Sequence, residues 1–125
     1  MAKYMSDDYI SQVQSALAQD PKWMESTRSF KTSVAFNVTD LGQNYVMSVD
    51  NGVTAFQKVA PGTGAEFSFD GTYDAWSKIA KGEVDIQSAV LKGQLKFKGS
   101  LTKILMYKDR FIRVAEIMRD VPKEF

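Results

Sequence analysis

Cysteine and histidine are both absent from this chain of 125 residues, and proline occurs only three times. Without cysteine there is no disulfide, zinc–thiolate site or thiol nucleophile, and the redox compartment is left open. Without histidine the commonest general base and metal ligand is missing, so any enzyme chemistry would rest on carboxylates, lysine or tyrosine alone. A non-catalytic protein is the expectation. The Asp7-Asp8 pair and the scattered Glu25, Glu66 and Glu83 do not have metal-ligand spacing, so neither a metal nor a cofactor is expected. No apolar run of about 18 residues is present that would span a bilayer, and the first residues, Met1 to Asp8, lack the apolar core of a secretory signal. A cytoplasmic protein is expected. The C-terminal Lys123-Glu124-Phe125 is not a Ser-Lys-Leu peroxisomal address.

What is present fits one soluble domain spanning residues 1–125. The chain is 44% hydrophobic and 25% charged, and a chain of this size buries roughly two-thirds of its unfolded surface. The formal net charge of +1 hides an imbalance. Lys92 to Arg119 carries eight basic residues against Asp109 and Glu116, a balance of +6 that leaves −5 for the remainder. Such polarity would suit an anionic head group, a phosphate or transient contact with an anionic membrane surface, although solvated lysines on amphipathic faces give the same count.

The periodicity of apolar residues divides the chain into elements. Ser6 is placed to cap a helix that carries Asp7 and Asp8 in its first turn and Tyr9, Ile10, Val13 and Leu17 on one side. Asp20-Pro21 caps and starts a second short helix with Trp23 and Met24. From Phe30 the period becomes two, with Phe30, Thr32, Val34, Phe36 and Val38 on one face. Tyr45, Met47 and Val49 alternate likewise, and Asn51-Gly52 supplies the positive-φ pair of a tight hairpin before Val53 to Val59 return. Ala65, Phe67 and Phe69 mark a fourth strand.

Three glycines organise the rest. Gly82, Gly93 and Gly99 separate a helix capped by Thr72, a second capped by Asp85, a fifth strand over Gln94–Lys98, and a closing helix from Ser100 to Val121. On that last helix Leu101, Ile104, Leu105, Phe111, Ile112, Ala115 and Met118 keep helical spacing, and Val114, Ile117 and Val121 widen the apolar stripe beyond one core contact.

Trp76 with Lys78-Ile79-Ala80-Lys81, then Gly82, then Gly93-Gln94-Leu95-Lys96-Phe97-Lys98-Gly99, then Leu101 and Ile104-Leu105 form an ordered set. In this the chain resembles the sterol carrier protein 2 family. The resemblance implies an α+β fold: a five-stranded mixed, mainly antiparallel sheet with helices packed on one face around an apolar tunnel. It implies a non-catalytic intracellular protein that binds or transfers a fatty acid, fatty acyl-CoA, phospholipid or sterol, working as a monomer or homodimer. Holding a lipid chain away from water stabilises the complex by about 0.8 kcal/mol per methylene and needs no catalytic residue. The alternative is an accessory or dimerisation module that docks a partner protein through the same apolar surface.

By that resemblance Leu91, Phe97, Leu101, Leu105, Phe111, Ile112, Ala115 and Met118 border the tunnel. The other reading of the group is ordinary core. Trp76 either lines the tunnel or knits helix to sheet, and Lys92 either meets a head group or caps its helix. The closing helix is expected to roof an apolar hollow and not to seat flush on the sheet. A nucleic-acid surface is not expected, because Lys96 and Lys98 point away from Phe97 in a strand.

Overall fold

The computed structural model describes residues 1–125. Ser6 accepts from the Tyr9 amide and opens α1 (Asp7–Ala18), and Asp20 does the same for Trp23 at the start of α2 (Pro21–Ser26). Four strands follow: β1 (Lys31–Val38), β2 (Gln43–Asp50), β3 (Val53–Lys58) and β4 (Phe67–Gly71). Thr72 and Asp85 cap α3 (Tyr73–Ala80) and α4 (Ile86–Leu91). The chain ends with β5 (Lys96–Lys98), α5 (Leu101–Met106) and α6 (Lys108–Asp120).

The strands form one sheet in the order β3-β2-β1-β4-β5, with β1 and β4 parallel and every other pair antiparallel. β1 and β2 pair from Lys31 opposite Asp50 to Val38 opposite Gln43. That register sends Thr32, Val34, Phe36 and Val38 to the same side as Tyr45, Met47 and Val49, as alternation requires. All of these but Thr32 join Tyr9, Ile10, Val13, Leu17, Trp23, Trp76, Val114 and Met118 in a single core, so the helices cover one face of the sheet. The other face carries Ser33, Asn37, Ser68 and Asp70, where Asn37 donates to the Asp70 carboxylate over 2.6 Å. The β2–β3 hairpin turns on Asn51 and Gly52, both at positive φ, as the Asn-Gly pair predicts.

The three organising glycines are all at positive φ. At Gly99 a second constraint operates: a Cβ there would lie 2.7 Å from the Phe67 ring and 3.1 Å from the Glu66 carbonyl oxygen. Only glycine lets the chain leave β5 this close to β4.

Two expectations are corrected. The closing helix is not continuous: Tyr107, at φ −97° and ψ 8°, separates α5 from α6. The break sets the Tyr107 ring edge-on against Phe30 at 4.7 Å and Phe67 at 5.9 Å. The fifth strand is also shorter than Gln94–Lys98, because the Gln94 and Leu95 amides both donate to the Ala89 carbonyl at the end of α4 instead of joining the sheet.

Candidate functional site

The region expected to hold a tunnel lies where α5 and α6 meet the β4–β5 edge. Its floor is aromatic. Phe97 stacks on Phe67 with ring centroids 6.1 Å apart and meets Phe69 at 5.2 Å. Phe111 descends from α6 edge-on to Phe67 at 5.4 Å, and Tyr107 closes the cluster from the helix break. The guanidinium of Arg110 lies 4.3 Å from the Phe30 ring centre, and its Nε donates to the Ser26 carbonyl over 2.9 Å. In this structure the ground beneath the start of α6 is therefore filled by the chain's own rings. The hollow expected beneath the closing helix is closed there.

The residues singled out from the sequence fall into three groups. Phe97, Phe111 and Ala115 are half-buried, the first two within the ring cluster. Trp76 and Met118 are buried in the core: the Trp76 indole N–H donates to the Asn37 carbonyl over 3.0 Å, and the Met118 carbonyl accepts from the Tyr9 hydroxyl over 2.6 Å. For Trp76, knitting helix to sheet is the role the geometry displays. Leu91, Leu101, Leu105 and Ile112 point into solvent, with Leu101 and Leu105 each 69% exposed. Met106, which the sequence reading passed over, is exposed to the same extent. Lys92 is exposed at the C-terminal cap of α4, where its charge faces the helix dipole and lies near enough to Asp85 to help hold that carboxyl below its usual range, after the larger effect of Ser88 hydrogen bonds.

Two open clefts lie elsewhere. One of about 220 Å³ sits between α1 and the β2–β3 edge, lined by Ile10, Gln14, Tyr45, Phe56 and Lys58 among others. The second, of about 210 Å³, is lined by Asn37, Thr39, Asn44 and Asp70 together with Gly42, Pro61 and Gly62. Neither includes any residue expected to border a tunnel.

The end of the molecule away from α5 is held by buried polar contacts that periodicity did not reveal. Asp20 caps α2 and also takes a bidentate ion pair from Arg113 on α6, with N–O distances of 2.6 and 2.9 Å. Hydrogen bonding from Arg113 is the main reason the Asp20 carboxyl is held below its ordinary value. The Tyr9 hydroxyl is pushed well above the usual phenol range, chiefly by burial. Asp20 was legible as a cap, but its distant partner was not.

The fold defines an α+β class: helices on one face of a mixed five-stranded sheet. A crystal structure of sterol carrier protein 2 superimposes with a TM-score of 0.84 at 16% identity, covering 96% of this chain and all 100% of that one. A solution structure of a conserved hypothetical protein from Thermus thermophilus, described as possibly a sterol carrier protein, gives 0.80 at 15% identity, covering 99% of this chain and 94% of that one. Sterol carrier protein 2 from Aedes aegypti, solved in complex with the C16 fatty acid palmitate, gives 0.57 at 19% identity over 91% of this chain and 98% of that one. No curated protein sequence matches. The chain belongs to the SCP-2 sterol transfer family, whose family model matches residues 12–111.

Proposed function

We propose that this protein is a non-catalytic intracellular carrier that holds one fatty acid, acyl-CoA, phospholipid or sterol between its last two helices and the β4–β5 edge. One observation carries the reading. α5 is rich in apolar residues yet fully buries none of them, with Ile104 alone half-buried against the core, directly after an edge strand that presents Phe97 to a cluster of rings. An acyl chain wedged beneath α5 would replace ring–ring contacts with ring–methylene contacts, and α5 would have to turn for Leu101 and Leu105, which now face water, to meet it. Phe97, Phe111, Ala115 and Met118 would then line the inner part of the site and Leu91 its rim, with Trp76 forming its end wall. Lys92 would meet an anionic head group. Palmitate in the mosquito relative supports the ligand class. Each methylene moved out of water contributes about 0.8 kcal/mol, so a long chain offsets the cost of parting the rings.

The decisive measurement is mass spectrometry of an organic-solvent extract of the purified protein, paired with uptake of a fluorescent fatty acid and its displacement by palmitate. Bound lipid and saturable displacement are expected. An empty protein that takes up no probe overturns the reading. The outward direction of Leu91, Leu101, Leu105 and Ile112 favours a second reading, an accessory module that docks a partner protein or a second copy. Light scattering separates them: a lipid-free dimer supports the second, a lipid-loaded monomer the first.

A further inference from the structure

We infer that Asn51, at the tip of the β2–β3 hairpin, is a self-modifying residue: the backbone nitrogen of Gly52 attacks its side-chain amide and converts it to aspartate and isoaspartate. The site is independent of what the protein carries. The chain has three asparagines, and only this one precedes a glycine. Asn37 precedes Val38 and its Nδ2 is held by the Asp70 carboxylate at 2.6 Å, while Asn44 precedes Tyr45 and is only 5% exposed. The two are register partners inside β1 and β2, so turning either peptide opens the sheet ladder. Asn51 is exposed and at φ +48°, between strands that stop on either side of the turn. Its carbonyl accepts no hydrogen bond and the Gly52 amide donates none, so the peptide that must rotate to bring the nitrogen onto Cγ is held by nothing. Gly52 adds no Cβ to hinder that rotation. Asp70-Gly71, the comparable aspartate pair, is fixed within β4, where the carboxylate accepts from Asn37 and Ser68.

The chemistry needs no partner but water. The Gly52 nitrogen, having given its proton to solvent base, bonds to Cγ of Asn51; the Cγ–Nδ2 bond breaks, Nδ2 takes a proton from solvent and ammonia leaves a cyclic imide. Water then opens the imide at either carbonyl. One opening gives ordinary aspartate, and the other routes the main chain through the former side chain and lengthens it by a methylene. Because the nitrogen must first lose its proton, the rate climbs with pH. A two-residue turn with both central residues at positive φ accepts Asp-Gly as readily as Asn-Gly, but it has no room for an extra backbone atom. The strain has a route inward. The Asn51 amide donates to the Phe30 carbonyl over 2.9 Å, and the Phe30 ring is the one that meets Tyr107 at the break between α5 and α6. The new carboxylate also stands beside that of Asp50, which now accepts from Asn51 Nδ2 over 3.1 Å, so an attraction becomes a repulsion.

Peptide mapping by mass spectrometry of the folded full chain, held for days in warm, mildly alkaline buffer, tests this, with isoaspartate identified by fragmentation of the peptide that contains residue 51. Asn51 should convert at least about tenfold faster than Asn37 or Asn44, which react only when the sheet opens. Conversion should quicken as pH rises, and the product should contain isoaspartate beside aspartate. Asn51→Gly keeps a favoured turn pair without the reacting side chain and should abolish the change. Freshly purified Asn51→Asp should unfold in urea like the parent, whereas chain enriched in isoaspartate should unfold at lower urea, which separates the lengthened backbone from the added charge. Conversion of Asn37 or Asn44 at an equal rate, aspartate with no isoaspartate, or an Asn51 that reacts in urea but not in the folded chain overturns the proposal. An isoaspartyl chain that unfolds like the parent overturns its effect on the turn.

Discussion

The two ends of the helical layer are built on opposite terms. Where α1, α2 and α6 meet, polar groups pair between helices: Tyr9 donates to the Met118 carbonyl, and Asp20 takes Arg113. The chain termini are tied into the same end by backbone hydrogen bonds between Tyr4 and Glu124 and between Glu124 and Ala2. Where α5 meets β5, the reverse holds: rings fill the floor, while leucines and lysines face water. One end is tied by side-chain and backbone hydrogen bonds, and the other rests chiefly on ring packing; if the proposed cargo enters, it is the second that would part.

The contrast is open to direct attack. The largest effect should come from the tied end: Trp23→Ala removes a fully buried indole and its hydrogen bond to Thr54, and should cost about 3–5 kcal/mol in urea unfolding. Next, Asp20→Ala should lose about 1 kcal/mol from the helix cap alone, with the ion pair to Arg113 lost in addition. It should also flatten the acid limb of stability. The Asp20 carboxyl titrates below its ordinary value, so its contribution is complete above about pH 4 and drains away as pH falls through the lowered value. A variant that keeps the parent's slope between neutral and acid pH would remove this assignment.

At the α5 end the order of effects should invert. Leu101→Ser with Leu105→Ser should change unfolding free energy by no more than about 0.5 kcal/mol, since neither side chain is buried, yet depress fatty-acid uptake severalfold. A large loss of stability in that variant would show that α5 is part of the structural core after all. Finally, amides of α5 should exchange with solvent far faster than those of α1 and β1, and slow when palmitate is bound. Uniform exchange across the helices would erase the distinction between the two ends.

Much of this was legible along the chain. Ser6, Asp20, Thr72 and Asp85 all cap helices, each accepting from a backbone amide three residues on, and the Asn51-Gly52 turn is where its residues place it. These signals are local: a capping oxygen reaches only its own first turn, and positive φ belongs to the residue that adopts it. The glycine-framed segment also carried the family resemblance that the match over residues 12–111 establishes. The candidate site was less legible. Helical spacing grouped Leu101, Leu105, Phe111, Ile112 and Met118 on one continuous helix, but the chain breaks at Tyr107 into two helices, and Met118 on the second is buried while Leu101 on the first is not. Nothing in the spacing announces that break; it coincides with the Tyr107 ring packing edge-on against Phe30 and Phe67, residues far away in the chain.

The sequence by itself thus determined the order of the elements, most of their caps and turns, the inward face of the first two strands and the family. Tertiary structure alone decided where the closing helix bends, that rings occupy the space beneath it, that Arg113 reaches back to Asp20, and which apolar side chains are left facing water. The reason is one of range. Backbone preference and periodicity act over a few residues, whereas packing and ion pairing are settled only when distant segments compete for the same volume.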